Sequence, residues 1–338
     1  MTLHIVATRE FTPNQLNMLR AIAPHAEITH LNARNAAEIE QAFTPDTEIL
    51  YTGRGDIALE RATGLRWVQG EFAGVDHLHD TPIWNSSAIL TSANGAHTPH
   101  MPEYVLSLML AWAYNHTLAY NYQQQALWGG GEHRVLFTPR VLRGRTLGIV
   151  GYGAIGREVA RLATALGMRV IATQRSSNAA REYLGYSVPG TGDPDGRLPE
   201  QYFTLDQLPE LLQQSDVVVL VLPLIAGTRH LIGASELAHM KPDSLLINIG
   251  RGGLIDHQAL IDAMQRQVIG AAALDVTDPE PLPSDHPLWH TPHVMITPHV
   301  SGMSASYIDN VVGVFAENLR RYVQHEPLLN IVQRELGY

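Results

Sequence analysis

The sequence predicts an α/β fold, built as two doubly wound domains with parallel sheets. Three observations point there. The chain has 338 residues, more than twice the ~150 of an average domain. Short apolar runs suited to buried strands alternate with amphipathic stretches in both halves. Hydrophobic residues make up 45% and charged residues 17%, enough for a large core and unlike a disordered chain.

Leu3 to Ala7 reads as the first strand. Thr12-Pro13 opens a helix to about Ala23, because the fixed φ and missing N–H of proline suit a first turn. Ile28–Leu31, Ile49–Tyr51, Arg66–Val68 and Ile89–Thr91 read as further strands, with helical stretches between the first few. Pro102 to Tyr120 has the pattern of one long buried helix at a domain boundary. Trp128-Gly-Gly-Gly-Glu-His reads as a loop or arm. A second series then begins with strand Thr146–Val150, helix Ile155–Leu166 and strand Arg169–Thr173. Residues 188–199, rich in Gly, Pro and Asp, read as an irregular surface loop. Strands return at Val217–Val221, Leu245–Ile249 and Ala271–Asp275, and Tyr307–Val323 closes the series as a helix.

Composition narrows the function. A formal net charge of −10 argues against nucleic acid and anionic membrane surfaces as partners, since both reward clustered Lys and Arg. With no cysteine there is no disulfide, thiolate nucleophile or thiolate metal site. The 17 histidines are scattered, no His-Glu-x-x-His spacing occurs, and no metal site is expected. The N-terminus lacks the basic and apolar regions of a signal peptide, and no apolar run is long enough for a membrane helix. A cytoplasmic protein is the expectation.

Gly151-Tyr-Gly153-Ala154-Ile155-Gly156 follows an apolar strand and opens a helix, which is the context a G-x-G-x-x-G dinucleotide fingerprint requires. Gly151 permits the tight turn, Gly153 lets the backbone approach a pyrophosphate, and Gly156 lets helix and strand pack closely. The first helical N–H groups, those of Ala154 and Ile155 among them, then face the phosphates. The next strand ends in Thr173-Gln174-Arg175-Ser176-Ser177, without the acid that usually accepts from the ribose 2′-OH of NAD. Arg175 would pair with a 2′-phosphate, and Ser176 or Ser177 would donate hydrogen bonds to it. Gln174 is neutral. This segment favours NADP, with NAD as the alternative; the plainer reading puts Arg175 on the adenine or in solvent.

Further motifs stand in order downstream. Ser215-Asp-Val-Val-Val-Leu leads to Leu222-Pro223-Leu224. Asn248-Ile-Gly-Arg251-Gly252 follows, then Ala273-Leu-Asp275-Val-Thr-Asp-Pro-Glu280-Pro281, then Thr297-Pro-His299-Val-Ser-Gly302. Arg251 and Glu280 are 29 residues apart, and Glu280 and His299 are 19 apart. With the glycine fingerprint, the chain resembles the D-isomer-specific 2-hydroxyacid dehydrogenases over nearly its whole length, the glyoxylate/hydroxypyruvate reductases in particular.

The resemblance implies a catalytic set of Arg251, Glu280 and His299, and the residue types fit the chemistry of 2-oxo acid reduction. Arg251 is a permanent cation whose planar fork reaches two oxygens. His299 can donate a proton near neutral pH. Glu280 on the other ring nitrogen would orient the imidazole and raise its pKa. A nicotinamide would supply the hydride. Singly, each residue has a plainer role: a surface salt bridge for Arg251, a solvated charge for Glu280, a turn cap for His299. The resemblance also implies that Leu222, Pro223 and Asp275 lie against the cofactor, Asp275 near its nicotinamide end. The backbone amides of Ala73, Gly74 and Val75, in Trp67-Val-Gln-Gly-Glu-Phe-Ala-Gly-Val, would hold the substrate carboxylate together with Arg251 and His299. Arg54 is a further candidate there. Pro102-Glu103 replaces an Ala-Glu pair of the family, Thr277 stands where an aromatic is common, and the loop before Leu205 is longer than usual. Glu280 argues against formate oxidation, for which relatives carry glutamine.

The resemblance thus implies two Rossmann-like domains with an interdomain active-site cleft. Residues 1–98 plus 300–338 would form a flavodoxin-like substrate domain, and residues 99–299 the dinucleotide-binding domain. It implies a homodimer joined through the Tyr104–Arg143 region. The expected activity is NAD(P)H-dependent reduction of a small 2-oxo acid, glyoxylate or hydroxypyruvate, to the D-2-hydroxy acid. An NAD-linked dehydrogenase for a bulkier aromatic substrate is one alternative, and a dinucleotide-sensing, corepressor-like protein is another. A sensor would have no need of the full Arg–Glu–His set.

Overall fold

The computed structural model describes residues 2–175 and 183–337. The chain divides into two compact units. The first holds Met1–His97, Leu184–Pro189 and Ser304–Tyr338, and the second Thr98–Tyr183 and Gly190–Met303. Against the expected boundaries at residues 98 and 300, the short segment Leu184–Pro189 joins the first unit.

In the first unit the elements run β1 (His4–Ala7), α1 (Pro13–Ile22), β2 (Glu27–His30), α2 (Ala36–Ala42), β3 (Thr47–Thr52), β4 (Trp67–Gly70), α3 (Pro82–Asn85) and β5 (Ile89–Thr91). The second unit follows with α4 (Met101–Ala113), α5 (His116–Gln124), β6 (Thr146–Val150), α6 (Ala154–Ala165), β7 (Arg169–Thr173), β8 (Gln201–Phe203), α7 (Leu208–Gln214) and β9 (Val217–Leu220). It ends with α8 (Ala234–His239), β10 (Leu245–Asn248), α9 (His257–Gln265), β11 (Ala271–Leu274) and β12 (Val294–Ile296), and the chain returns to the first unit with α10 (Tyr307–Val323).

The first sheet is wholly parallel, in the order β2-β1-β3-β4-β5. Alternate side chains enter different cores: Ile5, Ile49 and Trp67 pack with α1 and α10, while Val6, Leu50 and Val68 pack with Ile39 of α2. The second sheet is also wholly parallel, in the order β12-β11-β10-β9-β6-β7-β8. Leu147, Val217, Leu245 and Ile247 face α4 and α6, and Val218, Leu220 and Leu246 face the opposite core. Burial on both faces explains why β9 and β10 read as unbroken apolar runs. Both orders reverse at one point, between β1 and β3 and between β6 and β9, and ligands of such sheets bind beyond the carboxyl ends of the strands there.

Helix starts follow local chemistry. Thr12 and Gln15 form a reciprocal capping box at α1, Asn35 caps α2, and the Asp256 carboxylate accepts from the Gln258 and Ala259 N–H groups at α9.

Three expectations need correction. The single helix over Pro102–Tyr120 is two helices, because Asn115 turns left-handed at φ 53°. Asparagine tolerates that conformation, and here its side chain accepts from Arg140 at 2.8 Å. Moreover, α4 is buried whereas α5 has no buried residue. The Trp128 arm does not stay irregular but closes in a 3₁₀ stretch, Gly131–Phe137. Finally, β8 and β12 were absent from the expected strands: each has three residues and lies at a sheet edge, too short to show a pattern. No helix among the described residues is long and apolar enough to cross a membrane.

Candidate active site

The glycine fingerprint forms the turn between β6 and α6, at the reversal point of the second sheet. Gly151 has φ +110°, a conformation that L side chains rarely adopt, and its N–H donates to Thr173 Oγ1 at 2.9 Å. A Cβ on Gly156 would lie 2.4 Å from the Gly151 carbonyl oxygen, so helix and turn touch backbone to backbone. A Cβ on Gly153 would meet nothing within 4 Å. Gly153 is also the N-cap of α6, and no side chain caps that end. The turn therefore presents an uncapped helix N-terminus facing open space, which fits the pyrophosphate of a dinucleotide. Leu222 and Pro223 follow β9 across the reversal point, and the Leu222 side chain lies beside Gly151.

At the end of β7, Gln174 is half-buried and its N–H donates to the Phe203 carbonyl at 2.8 Å. Arg175 is exposed. Ser176 and Ser177 lie outside the described residues.

The catalytic candidates lie in the segments that follow three adjacent parallel strands, β10, β11 and β12. Arg251 follows β10, in a turn bracketed by Asn248, whose Oδ1 accepts from Gly250 N at 3.0 Å and whose Nδ2 donates to Arg251 O at 2.9 Å. The next residue, Gly252, touches the turn after β11 so closely that a Cβ would lie 2.0 Å from the Thr277 carbonyl carbon. Glu280 follows in that second turn, and His299 comes after β12. His299 Nδ1 and Glu280 Oε1 are 2.6 Å apart, and both side chains are exposed. The contact uses Nδ1 and leaves the other ring nitrogen, Nε2, outside the pair.

His299 adopts φ +52°, unusual for a residue with a Cβ, and Asp275 holds that turn. The His299 N–H donates to the Asp275 carbonyl at 2.8 Å. The Asp275 carboxylate, only 1% exposed, accepts from Thr297 Oγ1 at 2.7 Å and from the Val300 and Ser301 N–H groups at 2.9 Å each. Burial alone would raise its pKa; the hydrogen bonds from Ser301, Thr297 and Val300 outweigh burial and hold it below the usual carboxylate range. Tyr104 of α4 is hydrogen-bonded to Thr297 and reaches Asp275 at 3.5 Å. No site role is expected from the sequence for Asn248, Tyr104 or Thr297, and Tyr104 falls only in the expected dimer region. Thr297 and Asn248 lie inside the motifs that carry His299 and Arg251, whereas Tyr104, 171 residues before Asp275, carried no sequence signal.

In the first unit, Ala73, Gly74 and Val75 follow β4; the first two are half-buried and Val75 is buried. The loop is fixed just before them. Both Glu71 carboxylate oxygens accept from Arg9 at 3.1 Å, and the Glu71 carbonyl accepts from Tyr307 at 2.7 Å. Arg54 is occupied locally, donating to the Asp56 carboxylate at 3.0 and 2.7 Å.

Residues 106–301 match the family model described as D-isomer specific 2-hydroxyacid dehydrogenase, NAD binding domain. A glyoxylate reductase of Aeropyrum pernix is 34% identical over 291 residues, covering 85% of this chain and 82% of the relative. A crystal structure of a D-isomer specific 2-hydroxyacid dehydrogenase family protein from Aeromonas salmonicida is 31% identical, with a TM-score of 0.78 over 99% of this chain and all of that one. Another, from Xanthobacter autotrophicus Py2 in complex with NADPH and MES, is 25% identical with a TM-score of 0.80 and covers both chains fully. The matched region, the order of both sheets and the paired Glu280 and His299 agree, and the chain belongs to the D-isomer specific 2-hydroxyacid dehydrogenase family.

Proposed function

We propose that this NAD(P)-dependent oxidoreductase reduces a small 2-oxo acid, glyoxylate or hydroxypyruvate, to the D-2-hydroxy acid, with NADPH as the preferred reductant. The observation that carries this reading is the 2.6 Å contact between His299 Nδ1 and Glu280. It orients one imidazole nitrogen and frees the other to serve as a general acid. When bound, the nicotinamide dinucleotide supplies the hydride. The residues that would hold it are the glycine turn Gly151–Gly156, with Leu222 and Pro223 beside it and Gln174, Arg175 and Ser176 at the adenosine end.

In this reading Arg251 binds the substrate carboxylate and keto oxygen and draws electron density towards that oxygen. The amides of Ala73, Gly74 and Val75 bind the carboxylate. As hydride reaches the carbonyl carbon, the C=O π pair moves to oxygen, and His299 Nε2 gives that oxygen its proton. Glu280 holds the ring in place through Nδ1, and a neutral imidazole remains after transfer. Asp275 keeps the histidine turn in place beside the nicotinamide end.

The NADPH preference rests on Arg175 and on the lack of an acid at the end of β7. The Xanthobacter relative, solved with NADPH, is in keeping with it. Replacing Arg175 by Asp is expected to weaken NADPH by ~10-fold or more and NADH far less, since one charge-assisted contact is worth about 1.5–3 kcal/mol. Equal losses for both would remove the 2′-phosphate assignment. Assembly as a homodimer through residues 104–143 is supported by the exposed apolar side chains of Tyr120, Leu127, Trp128, Val135 and Val141 in that stretch. The activity is tested by reducing hydroxypyruvate with NADPH and resolving the product on a chiral column. D-glycerate is expected, and L-glycerate or no product would refute the reading.

A further inference from the structure

Within residues 188–199, the stretch expected as an irregular surface loop, Gly192 and Asp193 meet the phosphate turn and α6, whereas Pro194, Asp195 and Arg197 are exposed. Asp193 is the centre of the contact and is 7% exposed. Its carboxylate accepts from the Tyr152 hydroxyl at 2.7 Å, from Arg197 N at 3.1 Å and from Leu198 N at 3.0 Å. Burial would raise the Asp193 pKa, but the bonds from Leu198, Tyr152 and Arg197, with Arg157 nearby, hold it below the usual range. The Asp193 carbonyl accepts from Arg157 Nη1. Glu158, the next residue of α6, accepts from Gly192 N at 2.5 Å.

Arg157 is 5% exposed in the first turn of α6, where the helix dipole disfavours a cation. Two aromatic faces offset that cost: its guanidinium carbon lies 4.8 Å from the Tyr152 ring centroid and 5.3 Å from that of Tyr183. Tyr183 N in turn donates to Pro194 O at 2.8 Å. The arrangement is closed: turn to loop through Tyr152 and Asp193, loop to helix through Asp193 and Arg157, helix back to turn through Arg157 and Tyr152.

Tyr152 is the only residue of Gly151-Tyr152-Gly153 with a side chain. Flanked by glycines, which carry the most backbone freedom, the turn would otherwise lose that freedom on binding a ligand. We propose that Tyr152 and Asp193 are positioning residues that pre-order the phosphate turn, so that their hydrogen bond sets affinity for the pyrophosphate of the dinucleotide. The inference rests on reading Gly151–Gly156 as the dinucleotide site. Because the ordering is completed before binding, it lowers the entropic cost of association without adding a contact to the ligand.

The test uses the full-length protein, Tyr152→Phe, Asp193→Asn and the double variant, titrated with ADP-ribose and with adenosine. ADP-ribose carries the pyrophosphate and no nicotinamide, so the result does not depend on the substrate reading. Phenylalanine keeps the ring over Arg157 and removes only the hydroxyl. Tyr152→Phe is expected to bind ADP-ribose ~10-fold more weakly while adenosine affinity and Tm stay near wild type; Asp193→Asn, which also turns a donor group towards Arg197 N or Leu198 N, is expected to weaken ADP-ribose at least as much and to lower Tm. Adding Tyr152→Phe to Asp193→Asn should weaken ADP-ribose binding less than it does in the wild type, since both changes act on one shared bond. ADP-ribose affinity within twofold of wild type in Tyr152→Phe would overturn the proposal, whether or not Asp193→Asn folds. So would equal losses for both ligands accompanied by a fall in Tm in Tyr152→Phe, the mark of a purely structural bond. A wild type that fails to bind ADP-ribose would refute the dinucleotide site itself and the proposal with it.

Discussion

After β4 in the first unit, Ala73, Gly74 and Val75 offer backbone N–H groups; after β11 and β12 in the second, Glu280 and His299 offer side chains. Both stand at carboxyl ends of strands in wholly parallel sheets. Their support differs as much as their chemistry. The histidine turn is anchored by a buried carboxylate that accepts from Thr297, Val300 and Ser301. The amide loop is anchored from outside, by a half-exposed arginine and one tyrosine hydroxyl acting on Glu71. A group that moves a proton must be held within tenths of an ångström, and a group that binds a carboxylate tolerates more play. In the proposed reaction, substitutions in the histidine turn should therefore act on kcat, and those in the amide loop on KM for the 2-oxo acid.

The largest effect separates proton transfer from binding. His299→Ala is expected to lower kcat by about 10³-fold, within the range for loss of a general acid, while NADPH Kd changes little. Normal turnover would erase the distinction between the two loops.

Next comes Asp275→Asn. It keeps the shape but turns one acceptor oxygen into a donor group facing N–H and O–H donors. A fall in kcat of ~10–100-fold is expected, together with a lower Tm. The pH dependence has a fixed sign. A carboxyl whose folded pKa lies below its unfolded value contributes stability that is complete above about pH 4 and is lost as pH falls through the folded value. The Tm gap between wild type and Asp275→Asn should thus be widest near neutrality and narrow below about pH 4. A gap that widens in acid would contradict the anchoring role.

Arg9→Ala gives the smallest effect and tests the other loop. Loss of its paired bonds to Glu71 is expected to raise KM for glyoxylate several-fold, with NADPH affinity unaltered. A drop in kcat with KM unmoved would show that both loops obey the same rule.

The comparison also explains what was legible in the sequence. Side-chain chemistry leaves a residue type to read: Arg251, Glu280 and His299 stand in order at fixed spacing, and the structure pairs two of them directly. Strands in the middle of the sheets were equally clear, because β6, β9 and β10 are buried on both faces and read as apolar runs. The anchors were not legible. Arg9 meets Glu71 across 62 residues and Tyr104 meets Thr297 across 193, and no local pattern marks such pairs. Asn115 was missed because the apolar pattern continues past it, although asparagine at a left-handed break is a known signal. Residues 188–199 looked like loop and are loop; the bonds of Asp193 to Tyr152 and of Gly192 to Glu158 span 41 and 34 residues and left no local pattern.

The most direct test of the proposed activity is to follow NADPH and NADH oxidation in parallel with glyoxylate, hydroxypyruvate, pyruvate and phenylpyruvate. The account predicts fast NADPH-linked turnover of glyoxylate and hydroxypyruvate, slower rates with NADH, and little with phenylpyruvate. Preferred reduction of phenylpyruvate with NADH, or tight dinucleotide binding with no turnover of any acid, would contradict it.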